Sequence, residues 1–464
     1  MKKVMSEWSP KIVAFLCTWC SYAGADLAGT GRNQYPPNIR VIRIPCSGRI
    51  NPLFIIKALL EGADGVMVSG CHPGDCHYLV GNYYARRRFV VLKRLLTAAG
   101  FEPDRVQFTW VSASEGARFA DVIKEVTAKV FALGPSHPER GEVSLHVSEQ
   151  NEPDVSSSKL YQSDSISFAA QQKELTLLCK KLLEEKTVNT VIGFKAGDES
   201  GLSLPYFIES PNEADKLVWN DRCVPVLSGY LADMTGKTAI VAKPCDARAV
   251  VSLIKENQLK RDHVYIIGLT CEGMVNDIGK PLHACLDCKT HTPPVYDVLI
   301  GERKQGDDSR KQRDDGCASP KTTYETFDNF ISEMNKCILC FSCRQSCYGC
   351  YCKTCFIDRG EPDWQTTSPD MGTKMLYHLG RTTHLSGRCV ECGACENACA
   401  SGVDIRYLIK AVTRFVEDTF DYQAGMDLDS EPAMLTYNTD DPEIGFLGCN
   451  ASQNTENTGG DARV

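Results

Sequence analysis

Two cysteine runs near the C-terminus share one spacing. Cys337, Cys340, Cys343 and Cys347 read C-x2-C-x2-C-x3-C, and Cys389, Cys392, Cys395 and Cys399 repeat it position for position. Three thiolates on one tight loop can cap three corners of a [4Fe-4S] cubane. The fourth, a turn further on, is placed to reach a second cubane, and the motif occurs twice in the order that such an exchange requires. Zinc sites more often use C-x2-C pairs with histidine, and disulfide frameworks belong to short secreted chains. The repeated triple with its fourth thiol therefore points to electron transfer.

Two further thiol groups lie upstream. The first holds Cys17-Thr18-Trp19-Cys20, then Cys46, then Gly70-Cys71-His72-Pro73-Gly74-Asp75-Cys76-His77. A lone C-x2-C would suit a thioredoxin-type dithiol, but three more cysteines in the same stretch favour a cluster. The second holds Lys243-Pro244-Cys245-Asp246, Gly268-Leu269-Thr270-Cys271 and Cys285-Leu286-Asp287-Cys288. Its four thiolates suit one [4Fe-4S] cluster, against a zinc knuckle or unligated thiols. Cys350, Cys352 and Cys355 offer three thiols without an obvious fourth and read as packing or supporting residues. Cys179, Cys223, Cys317 and Cys449 are isolated.

The elements that must position these thiols follow from the apolar pattern. Ile12 to Leu16 ends at Cys17, Val41 to Ile44 ends at Pro45-Cys46, and Gly65 to Val68 ends at Ser69-Gly70-Cys71. Helical stretches from Pro52 to Leu60 and Tyr83 to Ala99 lie between them or after them. A strand from Val106 to Val111 and a helix from about Glu115 to Leu133 close the unit. This alternation predicts a parallel α/β sheet with three thiols at the carboxyl edge of its strands, where such sheets place their ligands. A second α/β unit is predicted from a helix at Ala169 to Glu184, strands at Thr190 to Phe194, Thr238 to Ala242 and Val264 to Leu269, and a helix from Asp246 to Glu256. The expected fold class is α/β: two α/β domains followed by a small two-cluster domain of α+β or α type. The expected bounds are 10–135, a linker at 136–165, 166–300, a charged linker at 301–326, 327–420 with an insert at 356–384, and an acidic, disordered tail at 421–464.

The first stretch resembles a known family through Phe15-Leu16-Cys17, Ser21-Tyr22-Ala23-Gly24-Ala25-Asp26, Arg43-Ile44-Pro45-Cys46-Ser47-Gly48-Arg49, Gly62-Ala63-Asp64-Gly65-Val66 and Gly70 through Tyr78. These residues resemble the delta subunit of methyl-viologen-reducing hydrogenase. That resemblance implies a [2Fe-2S] cluster and electron passage from a hydrogenase or dehydrogenase to the flavin of heterodisulfide reductase. Five thiols then compete for four places, with Cys17, Cys46 and Cys71 expected as ligands and either Cys20 or Cys76 as the fourth. His72 and His77 are expected to hydrogen bond around the cluster. The middle unit resembles the beta subunit of coenzyme F420-reducing hydrogenase and formate dehydrogenase, most clearly around Cys245 and Cys271 and through Pro294 to Gly301. This implies exchange with F420 or NAD(P)H and leaves FAD open, with Lys243 and Gly193 to Gly201 as candidate flavin contacts. The C-terminal runs resemble a two-[4Fe-4S] bacterial ferredoxin, which implies Cys337, Cys340, Cys343 and Cys399 on one cluster and Cys389, Cys392, Cys395 and Cys347 on the other. Tyr348 and Ala400 stand where that family usually has proline.

Composition bounds the rest. With 24 cysteines in 464 residues, the chain is too long to need disulfide staples, and its thiols are expected to be reduced, on metal, in the cytoplasm. The net charge of -8 argues against a nucleic-acid partner. No apolar run reaches the ~18 residues of a membrane span. The favoured reading is an iron-sulfur electron-transfer subunit of an anaerobic oxidoreductase complex. Its expected partners are a heterodisulfide-reductase-A-like flavoprotein and a hydrogenase or formate dehydrogenase subunit. The rival readings are an FAD-containing catalytic subunit that exchanges hydride with F420 or NAD(P)H, and a zinc-stapled interaction protein without redox function.

Overall fold

The computed structural model describes residues 8–136, 165–197, 201–303, 323–359 and 369–444. Most of both linkers, part of the insert, the end of the tail, part of the Gly193 to Gly201 stretch, Cys317 and Cys449 lie outside the described residues. No helix of the described residues is long and apolar enough to cross a membrane.

The first unit runs β1 (Ile12–Cys17), α1 (Ser21–Thr30), β2 (Ile39–Ile44), α2 (Pro52–Leu60), β3 (Gly65–Gly70), α3 (Gly81–Ala98), β4 (Val106–Trp110) and α4 (Gly116–Leu133). The strands are parallel in the order β2-β1-β3-β4. The apolar runs that predicted them are largely buried in β1 and β4, β3 is buried throughout, and β2 at the edge is mostly exposed. Asn51 caps α2 by accepting the Leu53 amide at 3.0 Å, with Pro52 in the first helical turn where its missing N–H costs nothing. The direction of winding reverses between β1 and β3, the kind of switch point at which an open sheet leaves a crevice beyond its carboxyl ends.

The second unit contains α5 (Ser165–Glu184), β5 (Thr190–Lys195), β6 (Leu204–Ile208), β7 (Thr238–Ala242), α6 (Pro244–Lys255), β8 (Val264–Leu269), α7 (His283–Leu286) and β9 (Val298–Ile300). Its sheet order is β6-β5-β7-β8-β9. Strand β6 was not expected: it joins the edge antiparallel to β5, and its half-exposed sequence lacks the continuous apolar run of the central strands.

The third unit is helical among the described residues: α8 (Thr323–Lys336), α9 (Ser342–Gln345), α10 (Met371–Leu385), α11 (Ala394–Asn397) and α12 (Arg406–Phe420). Of the two types expected for it, the described part is thus of the α type. Helix α10 occupies the latter half of the predicted insert and is largely buried, started by Asp370, which accepts the Thr373 amide at 2.7 Å.

The first and third units share one hydrophobic core, which includes Leu53, Leu92 and Leu96 together with Leu376, Leu379, Leu408 and Phe415. Two close approaches seal it. A Cβ on Gly380 would lie 2.5 Å from Leu53 Cδ2, and one on Gly100, whose φ is +82°, would collide with the Phe327 backbone. The acidic stretch after Phe420 corrects the expectation of a disordered tail as far as residue 444. Arg87 grips the Asp441 carboxylate with Nε at 2.7 Å and Nη2 at 2.6 Å, both side chains being buried. Arg86 donates to the carbonyls of Asn438 and Thr439. The acidic composition suggested solvation; a partner 354 residues away was invisible to that argument.

Candidate metal centres

At the carboxyl edge of the first sheet all five thiols converge. Cys17 ends β1, Cys46 follows β2 and Cys71 follows β3. The sulfurs of Cys17, Cys20 and Cys71 lie within 4.8 Å of one another. Cys46, Cys71, Cys76 and Cys20 form one packed cluster. Thiol hydrogen bonds from Cys46 and Cys71 hold Cys17 far below the usual thiol range, while the same bonds and burial push Cys46 and Cys71 up. Thiols packed this closely in a buried site suit a bound cationic core, which would take them in the deprotonated form.

The floor beneath these sulfurs has no room for side chains. A Cβ on Gly81 would lie 2.7 Å from Cys46 Sγ and 3.3 Å from Cys76 Sγ, and one on Gly48 would strike the Gly81 carbonyl. Buried Asn82 donates to the carbonyls of Cys71 at 3.1 Å and His72 at 2.6 Å, fixing the loop that carries Cys71. His72 Nε2 meets Glu115 Oε2 at 2.7 Å, and His77 stacks on Trp19 with ring centroids 3.9 Å apart. Trp19, Tyr78 and Leu79 form an exposed apolar rim beside the site.

The middle thiols gather in the same way at the carboxyl ends of β7 and β8. Cys245 sits in the first turn of α6, Cys271 follows β8, and Cys285 lies in α7 with Cys288 just beyond. Burial pushes Cys245 well up and Cys271 up to about 12, with Cys285 and Cys288 adding to the latter. The Gly273 amide donates to Cys271 Sγ and the Met274 amide to Cys285 Sγ, each at 3.4 Å. Lys243, the candidate flavin contact, lies inside the fold. It is 2% exposed, donates to the Pro225 carbonyl at 2.7 Å, pairs with Asp246 at 3.0 Å and lies over the Phe194 ring. Its ammonium is satisfied inside the fold.

The C-terminal runs fold as a repeat. Leu339 and Glu391 occupy the same motif position and share a left-handed backbone, with φ of 54° and 57°. Phe341 and Gly393, two positions on, do likewise at 60° and 73°. A four-residue helix, α9 or α11, follows each. These φ values strain non-glycine residues, and they turn the Leu339 amide toward Cys337 Sγ at 3.4 Å and the Glu391 amide toward Cys389 Sγ at 3.3 Å.

A pocket is lined by Cys337, Cys340, Cys343 and, from the other run, Cys399 and Cys395. Conversely, Cys347 lies among Cys389, Cys392 and Cys395. Burial and then Cys347 push Cys392 up to about 12, and Cys347 acts on both of the others. The Val403 amide donates to Cys399 Sγ at 3.3 Å.

Three side chains of α10 join these groups without any cysteine motif to announce them. Tyr377 Oη lies 3.3 Å from Cys343 Sγ, His378 Nε2 lies 3.3 Å from Cys337 Sγ, and Arg381 Nη2 donates to the Cys343 carbonyl at 3.0 Å. Burial holds His378 down to about 3. The sequence signal that could have found them is the i, i+1, i+4 spacing on a capped helix between the runs. Cys350 hydrogen bonds Cys347, and Cys355 faces Arg344.

The middle and C-terminal groups meet. Cys392 bears electrostatically on Cys245. His283 Nδ1 pairs with Glu396 Oε1 at 2.9 Å, Asp287 takes Lys410 at 2.7 Å, and a Cβ on Gly393 would lie 2.5 Å from that of Ala284.

Residues 12–134 match the family described as methyl-viologen-reducing hydrogenase, delta subunit. The chain is 55% identical to the iron-sulfur D-subunit of the F420-non-reducing hydrogenase of Archaeoglobus profundus over 134 residues, 29% of this chain and 98% of the relative. It is 42% identical to the iron-sulfur D-subunit of the vhu F420-non-reducing hydrogenase of Methanocaldococcus jannaschii over 127 residues, 27% of this chain and 95% of the relative. It is also 52% identical to the A-subunit of the ferredoxin:CoB-CoM heterodisulfide reductase of Methanosarcina mazei over 126 residues, 27% of this chain but 16% of that longer relative. With the five-thiol sheet edge in place and a hydrogenase polypeptide matched over nearly its whole length, the chain belongs to the methyl-viologen-reducing hydrogenase delta-subunit family through residues 12–134.

Proposed function

We propose that this chain is an iron-sulfur electron-transfer subunit of an oxidoreductase complex of the hydrogenase and heterodisulfide reductase kind. Four thiol groups divide the work. Cys17, Cys46 and Cys71, with Cys20 or Cys76, would hold a [2Fe-2S] cluster. Cys245, Cys271, Cys285 and Cys288 would hold one [4Fe-4S] cluster. The crossed sets Cys337, Cys340, Cys343 with Cys399, and Cys389, Cys392, Cys395 with Cys347, would hold two more. Such clusters take up and release single electrons at potentials set by ligands, hydrogen bonds to sulfur and burial.

The observation that carries this reading is the exchange of the fourth cysteine, with Cys399 in the pocket of the other run and Cys347 acting on Cys389, Cys392 and Cys395. A zinc knuckle needs no such exchange. The protein's own residues do the remaining work. The amides of Leu339, Glu391, Gly273, Met274 and Val403 donate to sulfur, and the shared core keeps water from the inner thiols. Lys243, the side chain considered for a flavin, is engaged inside the fold by the Pro225 carbonyl and Asp246.

The partners in this proposal are a heterodisulfide-reductase-A-like flavoprotein at the N-terminal site, beside the rim of Trp19, Tyr78 and Leu79, and a hydrogenase or formate dehydrogenase subunit, or F420 or NAD(P)H, at the middle unit. Flavin-based electron bifurcation or confurcation is the setting that such a pair of partners suggests. Metal analysis of the anaerobically purified full chain tests the core of the proposal. It should give about 14 iron atoms with matching acid-labile sulfide, from one binuclear and three cubane clusters. A folded chain containing zinc and no iron would refute it.

A further inference from the structure

The two C-terminal thiol sets come from one repeated motif, yet α10 treats them unequally. Toward the Cys337 and Cys343 sulfurs it presents the His378 ring and the Tyr377 hydroxyl, each at 3.3 Å. Toward the other set it presents Arg381, a cation whose Nη2 donates to the Cys343 carbonyl at 3.0 Å and whose side chain lies beside Cys347 and Cys395. Arg381 is 3% exposed. Among the described residues no carboxylate pairs with it, and its Nε and Nη1 have no hydrogen-bond partner. The ionisable groups acting on its guanidinium are Cys347 first, then Cys395, Cys350 and Cys343. Two of these belong to the Cys347, Cys389, Cys392 and Cys395 set, and Cys350 hydrogen bonds Cys347.

A buried guanidinium without a counter-charge is strongly unfavourable unless an anion occupies the space that it faces. Thiolate-ligated iron-sulfur clusters are anionic and gain one more negative charge on reduction. A fixed positive charge in a dry site favours that reduced state and raises the potential, and N–H bonds to sulfur act in the same direction. We propose that Arg381 sets the potential of the cluster held by Cys347, Cys389, Cys392 and Cys395 above that of its twin, donating its free Nε and Nη1 hydrogens to the sulfur of that cluster. The inserted helix thereby makes two different redox sites from one sequence repeat. This inference rests on the cluster assignment proposed above; Arg381 is a tuning residue that exchanges no electrons itself.

The test is an EPR-monitored redox titration of the anaerobically purified full chain, with iron content measured on each sample and the two C-terminal signals assigned through Cys343→Ser and Cys395→Ser. Arg381→Gln removes the charge and keeps an N–H donor near the position of Nε. It should lower the midpoint of the Cys395-dependent cluster by about 59 mV or more, a tenfold change in a one-electron equilibrium, and move the other midpoint less. Arg381→Lys, which restores the charge, should recover most of the loss. Tyr377→Phe should shift only the Cys343-dependent midpoint. Unchanged midpoints in an iron-replete Arg381→Gln chain would overturn the inference. If the Gln variant fails to load iron, the Lys variant decides: full loading at a near-native midpoint supports the role of the charge, and failure to load or a tenfold drop overturns it. A wild-type chain without two C-terminal [4Fe-4S] signals would instead overturn the cluster assignment itself.

Discussion

The N-terminal and C-terminal thiol sites are assembled by opposite constructions. At the N-terminus, three thiols arrive from the ends of three strands, far apart in sequence, and meet because the sheet order places β2, β1 and β3 side by side. At the C-terminus, three thiols of each set arrive on one loop, whose left-handed residues recur at matching positions. The first site is only as intact as its sheet and the glycine floor below it. The second is locally encoded, and only its fourth ligand depends on how the two runs pack. A sheet-edge site should therefore fail as a unit, whereas a loop-encoded pair should fail one member at a time.

The largest effect expected from this contrast is total loss. Cys46→Ala or Cys71→Ala should abolish the [2Fe-2S] EPR signal while the cubane signals persist, and one of Cys20→Ala and Cys76→Ala should leave it largely intact. Survival of the signal without Cys46 would break the sheet-edge account.

Next comes a selective loss that reports on crossing. Cys347→Ser should diminish the signal that Cys395→Ser also removes and spare the one dependent on Cys343. The reverse assignment would mean that each run ligates its own cluster.

A smaller change sharpens the role of the floor. Gly81→Ala forces a Cβ to within 2.7 Å of Cys46 Sγ. Overpacking of this kind costs about 1–3 kcal/mol, so binuclear iron should fall in the iron assay while thermal unfolding of the remainder shifts little. Native [2Fe-2S] content in this variant would show that the sulfurs have more freedom than the structure gives them.

Asp441→Ala tests the link between the two regions without touching a thiol. It strands the buried Arg87 guanidinium, and breaking one partner of such a pair typically costs about 3–5 kcal/mol. Denaturant unfolding should show that loss with every cluster signal present. The smallest effect is expected at Glu391→Gly, which relieves a left-handed non-glycine residue. Stability should change by no more than about 1 kcal/mol, with both C-terminal signals kept.

Much of this arrangement is legible in the chain itself, for a physical reason. Strand edges announce themselves when apolar runs end in cysteine, and β1, β2 and β3 fall where those runs lie. A motif such as C-x2-C-x2-C-x3-C is geometry written at a range of about ten residues, so loop shape follows from it directly. The helix start at Pro52 follows from the first-turn proline signal.

What the sequence could not decide depended on partners distant along the chain. Nothing in Asp441 foretells Arg87, and nothing in the acidic composition of the tail distinguishes a solvated carboxylate from a buried one. Strand β6 has no strong pattern because it sits at an edge. Lys243 reads as a free cation until Pro225 and Asp246 close on it. Helix α10 reads as an insertion until its buried face is seen to deliver Tyr377, His378 and Arg381 to thiols of both runs. Local spacing determined which residues can bind metal, because ligand geometry is short-ranged. Tertiary packing alone decided which thiols meet across the runs and which charges face them, because burial and electrostatics act through space without regard to distance along the chain.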